Sequence, residues 1–381
     1  MSSIKPVIRI GTRAALDLAR RAPSDDHPSH DERVDAGLSW LCRAQDQGTD
    51  RGFSYGYTVR GGWQPSYVET TGYIITTFLA AARRLGRPEL TERAVEAGDW
   101  LLSAQLADGS FPNPGLSATD GVVFDTGQDL FGLLALAEQG HGERFDDGAR
   151  QAMTWLVKVA DDESRWTRNT FNSIPHVYNS RVAWAQAKAA LRFDDEAAAA
   201  VARANLDWAC SQQVDNGWFD NCAFTVGAPP FTHTTAYAGR GLLEAGRVLD
   251  EPRYIDAATG VARAAGRHLR ADGRLPGRIG TDDRAASSSV CLTGSAQFAI
   301  IWFELAVESG DAIMADWARR AVDAVGRQQD LGGPDETRGA IKGSSPVWGR
   351  YAPLGYPNWA TKFFVDAVFR AIDASAGPEP S

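Results

Sequence analysis

Apolar positions along the chain fall into two alternating kinds of segment. In one, such as Ile74 to Ala81 or Phe298 to Leu305, nearly every position is apolar, which marks a helix buried on all sides. In the other, such as Glu92 to Gln105 or Asp194 to Gln213, one face is polar, the pattern of a helix on the outside of a protein. No alternation of period two competes with these patterns. Each all-apolar segment opens on a short polar cluster. Three are Glu69-Thr70-Thr71-Gly72-Tyr73, Phe124-Asp125-Thr126-Gly127-Gln128 and Tyr178-Asn179-Ser180-Arg181. The others are His233-Thr234-Thr235-Ala236-Tyr237, Leu292-Thr293-Gly294-Ser295 and Tyr356-Pro357-Asn358-Trp359.

Aligning the clusters on Thr71, Thr126, Ser180, Thr235, Thr293 and Asn358 gives six units. A fixed period of this kind is a repeat architecture. Outer segments close on Trp and Gln before a Gly turn, as in Trp40, Gln45 and Gly48, or Trp100, Gln105 and Gly109, which suits a helix exit. With Arg33 to Asp46 as the outer helix that closes the ring against Tyr356 to Ile372, the pattern predicts an all-α fold, an (α/α)6 toroid of six inner and six outer helices. Residues 31–375 form its single domain, 1–30 an extension and 376–381 a tail. The six polar clusters then share one mouth of the central cavity, where helix N-termini present unpaired N–H groups and partial positive charge. Such a basin favours a carboxylate, a phosphate or a developing oxyanion. The plainer account of Thr71, Thr126, Ser180, Thr235 and Thr293 is that they cap their helices.

Composition narrows the function. Of 381 residues 44% are hydrophobic, enough for a large core, and 39 Lys and Arg face 48 Asp and Glu. With that acidic balance and no basic stripe, nucleic acid is not an expected partner. Met1 to Ser24 has no signal-type apolar core, and no segment reaches about 18 apolar residues, so a soluble cytoplasmic protein without a membrane span is expected. Cys42, Cys210, Cys222 and Cys291 lie far apart, which suits reduced thiols rather than disulfides or structural zinc. No metal or cofactor is expected.

Three groups of residues could carry chemistry. His233, Tyr237 and Arg240 share a helical face, so that a proton relay adjoins a carboxylate clamp; the plainer alternative is a buried polar triplet. The loop before the third inner helix gathers His176, Tyr178, Asn179 and Arg181, able to polarise a carboxylate and supply acid and base. Glu69 and Asp125 are acids at the mouth, with Asp220 nearby in sequence to Trp218; each could instead be an ionised cap. Gln128, Asn358, Lys342, Trp218, Trp348 and Tyr356 are further candidates for substrate binding, the aromatics by stacking on a sugar. Trp63, Trp166, Tyr351 and Trp359 belong to the same mouth-side set, whereas Trp40, Trp100, Trp155, Trp208 and Trp317 are core. Asp282-Asp283-Arg284 is expected to be solvated.

The repeat, with Ala104-Gln105 through Asp108-Gly109-Ser110-Phe111 and Gln212-Gln213 through Asn216-Gly217-Trp218, resembles the α/α-toroid superfamily of terpenoid cyclases, squalene–hopene cyclases and protein prenyltransferase β-subunits. The resemblance stops at architecture. Asp161-Asp162-Glu163 and Asp282-Asp283-Arg284 do not reproduce the acid motif or the magnesium motif of the cyclases. No set of residues matches the prenyltransferase zinc site. The clusters at Glu69 to Ile75, Phe124 to Gln128, Tyr178 to Trp184 and Tyr356 to Ala360 resemble a bacterial group of squalene-cyclase-like proteins, some associated with polysaccharide synthesis. Toroidal polysaccharide lyases and uronate epimerases resemble the chain in fold and in the type of Asn, His, Tyr and Arg chemistry, with no motif in common.

Together these features lead to an enzyme that works in the toroid cavity on an acidic sugar or glycan by proton abstraction, of lyase or epimerase type. In that reading Arg181 or Arg240 neutralises the carboxylate, and His233, Tyr178 and Tyr237 move protons. The alternatives are a terpenoid cyclase-like enzyme that protonates an isoprenoid, and a non-catalytic toroid that binds a glycan or a partner.

Overall fold

The computed structural model describes residues 28–113 and 115–376; most of the predicted N-terminal extension and nearly all of the tail lie outside them. Twelve α-helices alternate between an outer and an inner ring among the described residues. The outer ring comprises α1 (His30–Gln45), α3 (Pro88–Ala104), α5 (Glu143–Lys158), α7 (Glu196–Ser211), α9 (Pro252–Arg267) and α11 (Ala312–Gly326). The inner ring comprises α2 (Val68–Leu85), α4 (Val123–Glu138), α6 (Ser180–Phe193), α8 (Thr232–Val248), α10 (Leu292–Ser309) and α12 (Asn358–Ala376). Each inner helix packs on the next, and α12 closes the ring against α2 and α1. The (α/α)6 toroid read from the repeat is the observed fold.

The inner ring is tight because small residues sit where helices meet. A Cβ on Gly72 would lie 2.4 Å from the Asp129 Cα, and one on Gly132 would lie 2.5 Å from the Gly72 carbonyl oxygen, so α2 and α4 approach backbone to backbone. The outer ring is tied by glutamines. Gln105 Nε2 donates to Gly109 O and to Gly148 O of the next outer helix, and Gln213 Nε2 donates to Gly217 O and Ala257 O. Gln45 and Gln329 bridge their neighbours in the same way. In these four repeats the Gln at the outer-helix exit is thus a staple between successive repeats as well as part of that exit.

The two ends of the toroid differ. Connections from inner to outer helix contain two to four residues, whereas those from outer to inner helix run from 18 to 31. All long loops therefore gather over the inner-helix N-termini. Among the described residues they carry seven short strands, which the sequence pattern did not show: a three-stranded sheet of β2 (Gly62–Trp63), β1 (Gly56–Thr58) and β7 (Gly355–Pro357), and the pairs β3 (Pro112–Asn113) with β4 (Ser117–Gly121) and β5 (Val290–Cys291) with β6 (Ser344–Ser345). Strands of two to five residues hold too few side chains to display a period.

The cluster hydroxyls do not cap the helices. The N-cap positions of α2, α4, α8 and α10 are Tyr67, Val122, Phe231 and Cys291, with no side-chain cap bond. Thr71 lies four residues later and accepts from Phe53 N at 3.1 Å; Thr126 accepts from Phe111 N, and Thr361 from Ile341 N, each at 3.0 Å. The hydroxyl pins the incoming loop to the helix, which corrects the phase of two units: the equivalents of Thr71 are Ser295 and Thr361, not Thr293 and Asn358. Ser295 donates to the carbonyl four residues back, as Thr71 does.

Candidate active site

The corrected phase locates the mouth. The residues two positions before the hydroxyl in five of the repeats, Glu69, Phe124, Tyr178, His233 and Trp359, all line one cavity of about 350 Å³ under the long loops. Tyr237, Asp125 and Thr234 join them from the helices, and Tyr55, Tyr67, Asn113, Phe171, Phe224 and Tyr351 from the loops. The volume lies in the range of small-molecule sites, about 300–1,000 Å³.

Two acids face this cavity from adjacent inner helices, joined by a chain of hydrogen bonds. Tyr67 Oη donates to Glu69 Oε2 at 2.9 Å, and Asn113 Nδ2 donates both to Tyr67 Oη at 2.8 Å and to Asp125 Oδ1 at 2.9 Å. Withdrawal from water pushes Glu69 up to about 7, against the opposing Tyr67 bond and the Arg181 charge. Asp125 is buried and held well above the usual carboxylate range, first by burial and then by Glu69. When Glu69 ionises, its charge keeps the proton on Asp125, so the pair spans an acid and a base at neutral pH. Asp129, one turn deeper in α4, is also held well above its ordinary range by burial, and among the described residues its carboxyl oxygens have no hydrogen-bond partner.

His233 lies across the cavity against Tyr237 and Tyr351, with ring centroids 4.3 and 4.9 Å away. Burial lowers it to about 3, aided by the Arg181 charge. Its Nδ1 meets the Gln297 amide nitrogen at 2.7 Å. That amide donates, so the imidazole is neutral and carries its proton on Nε2. Tyr178 stacks on His176 at 4.6 Å and presents its edge to Phe124. Trp359 donates to Tyr351 Oη at 2.8 Å and packs edge-on against Tyr55 at 4.6 Å, forming a fixed aromatic wall.

Glu69, Asp125, Tyr178, His233 and Tyr237 are therefore brought together, and most other sequence candidates are not. Arg181 lies below the floor of the cavity: its Nε donates to Gln128 Oε1 at 2.7 Å and its guanidinium lines a basin on the opposite side. Gln128 is thereby engaged away from the mouth. Arg240 faces that same basin, two turns along α8, and pairs with Glu244 at 2.6 Å. His176 bonds the Phe171 carbonyl at 2.7 Å and, with Asp220, lines a separate groove. Asn179 is buried outside the cavity wall.

The remaining candidates are held in the framework or at the surface. Trp218 is buried and donates to Asp283 Oδ1, which also meets His268, so Asp283 is a structural node, whereas Asp282 and Arg284 on either side of it are exposed to solvent. Trp166 is buried and donates to Leu156 O. Asn358 donates to Ser54 O and Thr70 Oγ1. Lys342 and Tyr356 are buried away from the cavity wall, and Trp348 is exposed. Tyr67 and Asn113 escape sequence reasoning because neither belongs to a repeated cluster. The local signal for Tyr67 is its place at the N-cap, two residues before Glu69. Among the described residues no group of three His, Cys, Asp or Glu side chains is placed to hold a metal ion.

No family model matches the chain, and no curated protein matches it in sequence. Solved structures do. It is similar to an unsaturated glucuronyl hydrolase from Bacillus sp. GL1 at 14% identity and a TM-score of 0.71, over 90% of this chain and 97% of that one. It is similar to cellobiose 2-epimerase from Bacillus thermoamylovorans at 12% identity and 0.70, over 93% and 99%, and to a polysaccharide lyase at 14% and 0.69, over 93% and 100%. None of these three is a terpenoid cyclase or a prenyltransferase. At such identities the likeness speaks for architecture, and by it the chain is an α/α-toroid protein.

Proposed function

We propose that this chain is a carbohydrate-active enzyme that binds an acidic sugar in the mouth cavity and moves a proton between the sugar ring and the Glu69–Asp125 pair, with a lyase or epimerase outcome. The observation that carries this reading is the chain Glu69–Tyr67–Asn113–Asp125, which couples two acids of raised pKa inside an aromatic-walled cavity. Trp359 and Tyr55 offer faces on which a sugar ring can stack. Ionised Glu69 is the base, and Asp125, kept protonated beside it, is the acid. His233 and Tyr178 donate hydrogen bonds to developing negative charge. Neither Arg181 nor Arg240 lines the cavity, so a substrate carboxylate is met by helix N-termini and neutral donors instead. The names of the three structural neighbours, all acting on sugars or glycans, support the same reading.

The test is incubation with unsaturated uronyl oligosaccharides, polyuronates and cellobiose. The ultraviolet absorbance of the C4–C5 double bond and deuterium uptake from heavy water are followed for the wild type and for Asp125→Asn. Turnover of an acidic sugar by the wild type that collapses in the variant is expected; no reaction with any acidic sugar in the panel would overturn the reading.

A second reading, terpenoid cyclase-like protonation of an isoprenoid, draws on Phe124, Phe171, Phe224 and Trp359 as carbocation-stabilising walls beside a protonated Asp125. Incubation with prenyl diphosphates and squalene, followed by product analysis, separates the two.

A further inference from the structure

The toroid has a second basin, of about 430 Å³, on the side of the short loops. Tyr73, Arg181 and Phe363 line it close to the axis, and Tyr237, which faces the mouth cavity, lies against them. The residue that follows the repeat hydroxyl is Gly or Ala in four repeats: Gly72, Gly127, Ala236 and Ala296. In the other two it is Arg181 and Lys362, and both line this basin. The repeat therefore departs from small residues at the two places that set cations deep in the far side of the ring.

The charges there are unequally matched. Lys362 pairs with Asp366 at 2.6 Å, Arg240 with Glu244 at 2.6 Å, Lys188 with Glu138 at 3.2 Å and Arg370 with Glu304 at 2.6 Å. Among the described residues Arg181, only 4% exposed, has no carboxylate in salt-bridge range; its Nε bonds Gln128, and neither Nη atom has a hydrogen-bond partner among them. Five aromatic rings surround the guanidinium, at 5.1 to 5.8 Å from its carbon. They offset part of its desolvation, but burying a cation without a counter-ion remains costly.

We propose that this basin is a second ligand site, taking a small organic anion whose carboxylate or phosphate docks on the Arg181 guanidinium. Two parallel N–H donors match either oxyanion. Trp184, Phe131 and Phe363 give the body of the ligand an apolar wall. The inference is independent of the reaction assigned to the mouth.

The test is calorimetric titration of the full chain with benzoate, acetate and inorganic phosphate at ionic strength matched with chloride, with thermal unfolding in parallel. Saturable binding and a raised unfolding midpoint are expected, with benzoate tighter than acetate. Phosphate binding without benzoate binding, or the reverse, identifies which oxyanion the site takes. Arg181→Met is expected to weaken binding on the order of tenfold or more. Ala135→Trp, which keeps Arg181 and fills the basin from α4, decides the matter if Arg181→Met does not fold. Asp125→Asn, in the mouth, is expected to bind as the wild type does. Absence of saturable binding by any of the three anions, unchanged affinity in Ala135→Trp, or loss of binding in Asp125→Asn would each overturn the proposal.

Discussion

The Asn113 side-chain amide lies 2.9 Å from Asp125 Oδ1, and the same nitrogen lies 2.8 Å from the Tyr67 hydroxyl that donates to Glu69. One loop residue thus connects acids carried by two different inner helices. Asn113 comes from β3, which pairs with β4 at the entrance to α4, so the hairpin orients the acid at the start of the helix it precedes.

Removing either acid should disable turnover of the acidic sugar. Asp125→Asn and Glu69→Gln are each expected to lower kcat by about 10²–10⁴, the usual contribution of a positioned acid or base. Asn113→Ala, which leaves both carboxyls in place but uncoupled, should lower it less and shift the pH profile. Initial-rate kinetics across pH check both; unaltered rates in Asp125→Asn would remove that residue from the chemistry.

The same pair gives stability a pH dependence of known sign. Glu69 is raised from 4.5 to about 7, and Asp125 is raised well above 3.8. Between their ordinary values and their raised ones the folded protein binds more protons than the unfolded chain. Their contribution is therefore complete at low pH and is lost as pH rises through about 7 and beyond. His233, lowered to about 3, acts oppositely, adding stability as pH rises from about 3 to its ordinary value. That slope is common to the wild type and to an acid variant, and cancels between them. Asp125→Asn should therefore gain in melting temperature relative to the wild type as pH is raised from 4 to 8. A difference that is flat or reversed across that range would contradict the burial of a protonated acid.

The Gln297–His233 contact sets a tautomer, and a charge swap should reverse it. In Gln297→Glu a carboxylate replaces the amide donor at 2.7 Å from Nδ1. The imidazole is then expected to hold its proton on Nδ1 and to titrate at higher pH. Nitrogen-15 NMR of the labelled histidine reads both the tautomer and its pKa.

The close approach of α2 to α4 makes a stability prediction free of any assumption about function. Gly132→Ala places a Cβ 2.5 Å from the Gly72 carbonyl oxygen, where only a backbone shift can make room. A loss of about 1–3 kcal/mol in denaturant unfolding is expected, the usual range for overpacking. Gly86→Ala meets nothing within 4 Å but has a φ of 62°, so its smaller cost comes from the left-handed backbone alone.

Much of this was written into the chain locally. Ile74 to Ala81 and Phe298 to Leu305 are apolar on every face, and Glu92 to Gln105 is apolar on one. That contrast alone sorts inner from outer helices, because burial acts on each helix face separately. The six-fold alternation, the shared rim and the presence of Glu69, Asp125 and His233 at that rim follow from it. Tertiary structure decided what periodicity cannot carry. A helix turns about 100° per residue, so a shift of two or three positions in aligning Thr293 and Asn358 was enough to misplace which side chains of those repeats face the axis. Arg181 follows Tyr178 by three residues yet ends on the opposite side of the floor, because Tyr178 precedes the inner helix whereas Arg181 lies in its first turn, among rings from four other helices. Asn113 and Tyr67 acquired their role only when a hairpin and a helix start were folded against each other. Local sequence determines which face is buried; which buried groups meet depends on the packing of segments distant in the chain.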